Sequence, residues 1–209
     1  MKKKKEFEWE GEQNFVQLVK DNQSKGMIVV EVGCYDGSTT RHYLDIVKEN
    51  QGHVYIIDTF MGTIQNEQFL QAHPHFYTLP HSFGQHNIGL YDWVVETFKP
   101  YSNMMTIIKG MSVDVIPTLK NQSIDILFID ADHKYSSVKT DIELSIPKIK
   151  PGGILCGHDC EGFDNVGKYT EYELDSDSSK DGRHGGTIQA VYDSFGVTQL
   201  NGTVWSVRL

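Results

Sequence analysis

The sequence predicts a doubly wound α/β domain, a mostly parallel sheet with helices on both faces and an antiparallel hairpin strand at the carboxyl end. Three observations carry that prediction. The stretch Ile124-Asp-Ile-Leu-Phe-Ile-Asp-Ala-Asp-His133 sets apolar residues on consecutive rather than alternating positions, as in a strand covered on both faces. Similar apolar runs recur along the chain with amphipathic or helix-starting segments between them, the alternation that builds parallel strands through crossovers. Three of these runs end in an acid, at Asp58, Asp130 and Asp159, and in such sheets ligands bind beyond the carboxyl ends of the strands.

Taken in order, residues 15–19 carry an apolar stripe in a polar setting, so a short amphipathic helix is expected within the 1–26 segment that precedes the main domain, 27–209. The stretch Met27-Ile-Val-Val-Glu-Val-Gly-Cys-Tyr-Asp-Gly-Ser reads as a strand stopped by Gly33 and Gly37, with Ser38 placed to cap the next helix. Glycine there lets the backbone turn sharply and a ligand approach closely. The second strand, His53-Val-Tyr-Ile-Ile-Asp58, ends about 20 residues beyond the glycine turn, the spacing at which an acid can accept from ribose hydroxyls. A helix cap or surface ion pair is the alternative for a lone Asp58.

Residues 60–85 show no clear period and read as a loop or cap. Within it His73, His75 and His81 are spaced irregularly around Pro74 and Pro80, which favours solvated histidines over metal ligands. Residues 90–98 look helical and 104–110 form a third strand, after which Ser112 can open a short helix through 115–119. Beyond the 124–133 stretch, Tyr135, Val138, Ile142 and Ile146 recur at helical spacing until Pro147. A fifth strand follows Pro151-Gly-Gly and runs Ile154-Leu-Cys-Gly-His-Asp159, bringing a second acid to the edge that holds Asp130. Two such acids can share one cation. Residues 160–186 turn polar and poor in helix formers, as an exposed mobile lid would. Thr187 then caps a helix through Phe195 closed by Gly196, and residues 197–200 and 203–207 around Asn201-Gly202 make a terminal hairpin.

Bulk properties narrow the function classes. A chain of 209 residues supports one sizeable core. A net charge of -9 argues against a nucleic-acid or anionic-membrane binder, since both need a basic face; the run Lys2 to Lys5 reads as a solvated terminus. No apolar window reaches the roughly 18 to 20 residues of a membrane span, so the expectation is a cytoplasmic protein. Three cysteines, Cys34, Cys156 and Cys160, fit a reducing compartment, and Cys156 with Cys160 lacks the second pair of a structural zinc site.

Together these motifs resemble the class I S-adenosylmethionine-dependent methyltransferases, over about residues 28–209. In that family the first strand ends in a pattern like Glu31-Val-Gly33-Cys-Tyr-Asp-Gly37, and the hairpin adds an antiparallel strand to a Rossmann-like seven-stranded sheet. More narrowly, Phe128-Ile-Asp-Ala-Asp-His133 with Lys150-Pro-Gly-Gly-Ile-Leu-Cys-Gly-His-Asp159 is similar to a branch of metal-dependent O-methyltransferases that act on small molecules, sugar hydroxyls among them.

The resemblance implies S-adenosylmethionine contacts at Glu31, Gly33, Tyr35, Gly37, Ser38 and Asp130, a ribose contact at Asp58 and an adenine-side contact near Ser112. It implies a divalent cation, Mg²⁺ or Mn²⁺, on Asp130 and Asp159, with His158 as a further ligand. A catechol-type enzyme would place an amide residue where this chain has Cys160, which points away from a catechol acceptor. Chemically, an alcohol is a poor nucleophile while protonated; a cation on Asp130 and Asp159 would stabilise the alkoxide, and His133 is the expected general base. His133 could equally be an ordinary residue of the helix's first turn, and His158 could hydrogen-bond across the sheet edge. Asp132 reads as a helix cap or a supporting group, and His184 as a loop histidine able to reach the substrate if the lid closes. The expected partner is a small hydroxylated molecule, and the relatives' habit implies a homodimer or larger assembly.

Overall fold

A computed structural model describes residues 10–61 and 89–209. The histidines 73, 75 and 81 and the lysines 2 to 5 lie outside the described residues. The elements in chain order are α1 (Glu10–Asp21), β1 (Ile28–Val32), α2 (Thr40–Glu49), β2 (His53–Asp58), α3 (Leu90–Phe98), β3 (Met105–Lys109), α4 (Ser112–Val115), β4 (Ile124–Ile129), α5 (Tyr135–Ser145), β5 (Ile149–Gly157), α6 (Glu171–Leu174), α7 (Gly185–Phe195), β6 (Gln199–Asn201) and β7 (Val204–Arg208). The strands form one seven-stranded sheet in the order β3-β2-β1-β4-β5-β7-β6. Strands β1 to β5 pair in parallel, whereas β7 pairs antiparallel with both β5 and β6.

The continuous apolar runs are explained by two cores, one on each face. Over one face Val29, Ile126, Phe128 and Cys156 meet α1, α2 and α3 through Phe15, Tyr43, Leu44 and Val94. Over the other Val30, Val32, Leu127, Ile129 and Leu155 meet α5 and α7 through Val138, Ile142, Ile188 and Val191. Alternate residues of one strand point to opposite faces, so β1 and β4 must be apolar at nearly every position. The expected N-terminal helix is α1. Its Phe15 is fully buried and stacks on Phe128 of β4 at 3.9 Å between ring centroids, 13° from parallel.

Several local expectations are corrected. The Pro151-Gly152-Gly153 turn does not precede β5 but lies inside it, with a register shift against β4 between Ile124 and Ile126. Gly153 is pressed against the Ile124 and Asp125 carbonyls, where a side chain would collide at 3.0 Å. Ser38 does not cap α2: its amide donates to Asp36 Oδ1 at 2.9 Å and the helix starts at Thr40. Ser112 does open α4, as expected, as its first residue, with Met111 in the cap position. Thr187 sits buried inside α7, which starts two residues earlier. Residues 160–186, expected to be exposed, contain the one-turn α6 with a reciprocal Thr170–Glu173 capping box and a buried Ser179.

Candidate functional site

Strand register alone places the strand-end residues side by side. Val32 pairs with Ile129, and Ile129 with Gly157, so Gly33, Asp130 and His158 are the next residues on three adjoining strands. The ladder runs one step further to hold them: the Asp130 amide donates to the Val32 carbonyl at 2.8 Å, and the His158 amide to the Ile129 carbonyl at 3.1 Å.

The turn after β1 is built on glycine for two different reasons. Gly33 has φ of +87°, and a Cβ on it would meet the Asp130 carbonyl oxygen at 2.0 Å. Gly37 has φ of +82°, and a Cβ there would strike the Phe98 ring at 2.4 Å. The Asp58 carboxylate braces this turn, its Oδ2 accepting from the Cys34 and Tyr35 amides at 2.9 Å each. Its Oδ1 accepts from the Phe60 amide at 2.6 Å, which leaves that oxygen alone with capacity toward a ligand. Tyr35, between the glycines, is itself in a left-handed conformation with φ of 50°.

Glu31, two residues before Gly33, joins β1 to α2. It is buried, with Oε2 accepting from Thr40 Oγ and Tyr43 Oη of α2 at 2.6 Å each. This carboxylate ties β1 to α2 through Oε2, while its other oxygen is buried with no hydrogen-bond partner among the described residues. Burial pushes its pKa up to about 8, outweighing the two hydrogen bonds. A carboxyl raised in the folded state contributes stability that is fully present below the ordinary carboxylate range and lost as pH rises through about 8. Glu31→Gln keeps an acceptor for Thr40 and Tyr43. We expect it to flatten the fall in unfolding free energy between about pH 5 and 8, read from urea titrations across that range.

Around the ends of β4 and β5 lies a network of acids and imidazoles. Asp159 accepts from His133 Nε2 at 2.8 Å through Oδ2 and from His158 Nδ1 at 3.1 Å through Oδ1. His158 Nδ1 also lies 3.7 Å from Asp130 Oδ1, and its Nε2 pairs with the Thr203 hydroxyl at 2.8 Å. Thus His158 does bond across the sheet edge, and it does so with the nitrogen that faces away from the acids. His133 Nδ1 is held by Asp177 at 2.6 Å. His184, expected to be a solvated loop histidine, is instead half-buried, bonded to Glu161 through both ring Nδ1 and amide, and 3.6 Å from Asp159. Asp132 accepts from the Lys134 amide and the Ser137 hydroxyl and so caps α5.

Burial lowers the pKa of both central imidazoles, but the acids beside them win. Asp159 and Asp177 hold His133 up at about 10, and Asp130 and Asp159 hold His158 up at about 11. Asp159 is correspondingly held well below the carboxylate range, its burial offset by His133 and His158. His133 is thus bonded through both nitrogens to acids, Asp177 and Asp159, that favour its protonated form. Asp159 also has φ of 56°, a conformation that costs an L-residue roughly 1–2 kcal/mol and that clusters at functional sites.

Donor atoms of Asp130, His158 and Asp159 lie within 4.8 Å of one another, and so do those of His133, Asp159 and His184. Two carboxylates and one imidazole suit a divalent cation, so the first group fits the metal that the resemblance implies. His133, Asp159 and His184 were each legible in the sequence, but the carboxylates Glu161 and Asp177 behind the two histidines had no sequence signal; Asp177 is 44 residues from His133 and Glu161 is 23 from His184. Ser112 stands near the β3 end, where its hydroxyl reaches the buried Asp141, whose pKa burial lifts to about 6. All three cysteines are free and buried.

The parallel sheet with its reversed last strand, the glycine turn after β1 and the acids at the β2, β4 and β5 ends define a class I methyltransferase. The chain belongs to the methyltransferase-domain family whose model matches residues 30–160. Among solved structures it is similar to the S-adenosylhomocysteine-bound methyltransferase PaMTH1 of Podospora anserina, with a TM-score of 0.58 at 13% identity over 95% of this chain and 77% of that one. It is similar to the O-methyltransferase NovP, with a TM-score of 0.57 at 17% identity over 95% of this chain and 79% of that one. A candidate caffeoyl-CoA O-methyltransferase of Staphylococcus aureus gives a TM-score of 0.56 at 18% identity over 95% and 81%. Among curated proteins, the uncharacterised y4gI of Sinorhizobium fredii is 28% identical over 72 residues, which is 34% of this chain and 8% of that protein. Among the described residues no helix is long and apolar enough to cross a membrane.

Proposed function

We propose that this chain transfers the methyl group of S-adenosylmethionine to a hydroxyl of a small molecule, such as a sugar or natural product, with the help of a divalent cation. The observation that carries the reading is the convergence of Asp130, His158 and Asp159 within 4.8 Å, beside the glycine turn that follows β1. The similarity to NovP, an O-methyltransferase, supports a hydroxyl acceptor.

The turn at Gly33 to Gly37 lets the backbone approach the cofactor closely, while Asp58 holds it in shape and keeps part of Oδ1 for a ribose hydroxyl. Methyl transfer is an in-line displacement, in which the acceptor oxygen forms a bond to the methyl carbon as its bond to sulfur breaks, leaving S-adenosylhomocysteine. Most of the barrier reduction comes from holding the two partners aligned at contact distance. A divalent ion such as Mg²⁺ or Mn²⁺ on Asp130, His158 and Asp159 would supply a Lewis acid for the acceptor hydroxyl and offset the Asp159 charge that keeps His133 protonated. Asp177 on His133 Nδ1 fixes Nε2 as the nitrogen that takes the hydroxyl proton.

A second reading is a metal-independent methyltransferase. It is favoured by one observation, that His133 and His158 already neutralise Asp159. Turnover of an acceptor panel with purified protein, assayed with Mg²⁺ and with chelator, separates the two. We expect activity to disappear in chelator and in Asp130→Ala, with S-adenosylhomocysteine binding largely retained by calorimetry; undiminished transfer in both cases selects the second reading. The acidic surface and the small-molecule chemistry support a cytoplasmic enzyme, and a homodimer is the assembly we expect.

A further inference from the structure

The cluster beyond β4 and β5 holds more donors than one cation uses. Asp159 turns Oδ2 toward His133, whereas its Oδ1 meets His158 Nδ1 at 3.1 Å and lies 3.6 Å from His184 Nδ1. Opposite the Asp130–His158 side stand His133 and His184, with ring centroids 4.5 Å apart. Each of these two imidazoles has its own carboxylate on Nδ1, Asp177 for His133 and Glu161 for His184, and Glu161 also fixes the His184 backbone amide at 3.1 Å. A carboxylate on one ring nitrogen sets the tautomer and orients the other nitrogen as a donor, the supporting arrangement found behind metal-ligating histidines. Ligand atoms about 2.0–2.2 Å from one ion lie roughly 3–3.5 Å from each other. His133 Nε2 is 2.8 Å from Asp159 Oδ2, and the three donors fall within 4.8 Å. Two imidazoles and one carboxylate are softer than the oxygen set that Mg²⁺ prefers.

We propose that His133, Asp159 and His184 form a second cation site, selective for a divalent transition-metal ion and sharing Asp159 with the Asp130–His158 side. Glu161, Asp177 and His184 all belong to the chain between β5 and α7, so an ion here fastens that segment to the end of β4. The ion takes up the His133 Nε2 that the methyl-transfer reading assigns to the proton. It follows, resting on that reading, that a transition metal opposes turnover where Mg²⁺ supports it.

The test uses the full chain, stripped of metal by chelator and titrated with Co²⁺ alone, without cofactor or acceptor, following the visible d–d absorption and the heat of binding. His133→Ala and His184→Ala should each weaken Co²⁺ binding at least 10-fold, and Asp177→Asn by roughly 10-fold. Asp130→Ala should leave the His-dependent Co²⁺ band in place. Far-ultraviolet circular dichroism checks that each variant is folded, and Asp177→Asn serves where a histidine variant fails to fold. Co²⁺ binding that is unchanged in His184→Ala and Asp177→Asn, or that disappears in Asp130→Ala, overturns the proposal. Failure of the methyl-transfer reading leaves the Co²⁺ titration unaffected, and an absent Co²⁺ site leaves Mg²⁺-dependent transfer standing, so the two fail independently.

Discussion

Asp159→Ala is expected to lower kcat/KM for methyl transfer by about 10³-fold or more, the scale of removing a preorganised charge at a reacting centre. The same change is expected to destabilise the fold by about 2 kcal/mol, because it leaves the half-buried His133 and His158 without their shared acid. Part of that loss has a separate origin. Asp159 has φ of 56°, which asparagine tolerates better than alanine does, so Asp159→Asn should recover roughly 1 kcal/mol relative to alanine while regaining none of the activity. Urea titrations of the two variants beside turnover assays give the comparison. Equal stability for alanine and asparagine would show that the backbone at this position stores no strain.

Gly33→Ala is the second large effect. The methyl group would lie 2.0 Å from the Asp130 carbonyl oxygen and 2.7 Å from the Ala131 Cα, and both are backbone atoms of the neighbouring strand end. No rotamer can relieve that collision. Either β1 and β4 separate at their ends or the turn changes shape, and we expect a loss of about 3–5 kcal/mol, with S-adenosylhomocysteine affinity reduced about 100-fold or more. Gly182→Ala is the control. That residue also has positive φ, +78°, but nothing lies within 4 Å of the added carbon, so only the conformational cost of roughly 1 kcal/mol is expected. Thermal melts and calorimetry on the two variants distinguish collision from conformation; similar losses in both would remove the argument from strand-end packing.

What was legible in the sequence follows from which interactions are local. Consecutive apolar residues in β1 and β4 announce burial on two faces, and the acids at their ends announce a sheet edge, because strand alternation turns a linear pattern into a spatial one. Leu90–Phe98 and the Pro147 stop were legible for the same reason. Residue type alone misplaced the helix starts. Ser38 and Thr187 are good caps by residue type, yet neither caps its helix, because α2 starts two residues after Ser38 and α7 two residues before Thr187. The Pro151-Gly152-Gly153 turn was read as a boundary because a bulge and a loop have the same composition; only pairing with β4 and β7 separates them.

The sequence by itself determined the doubly wound sheet, its reversed last strand and the gathering of Gly33, Asp130 and Asp159 at one edge, since these depend on periodicity and on strand ends. Tertiary structure alone decided that Glu31 bonds to Thr40 and Tyr43 of α2, and that Asp177 and Glu161 reach back from the 160–186 segment to His133 and His184. Those pairings join residues far apart in the chain, which the order of strands and crossovers brings to one end of the sheet. Composition shows such acids as the polar residues of a loop, whereas folding makes them partners of half-buried imidazoles.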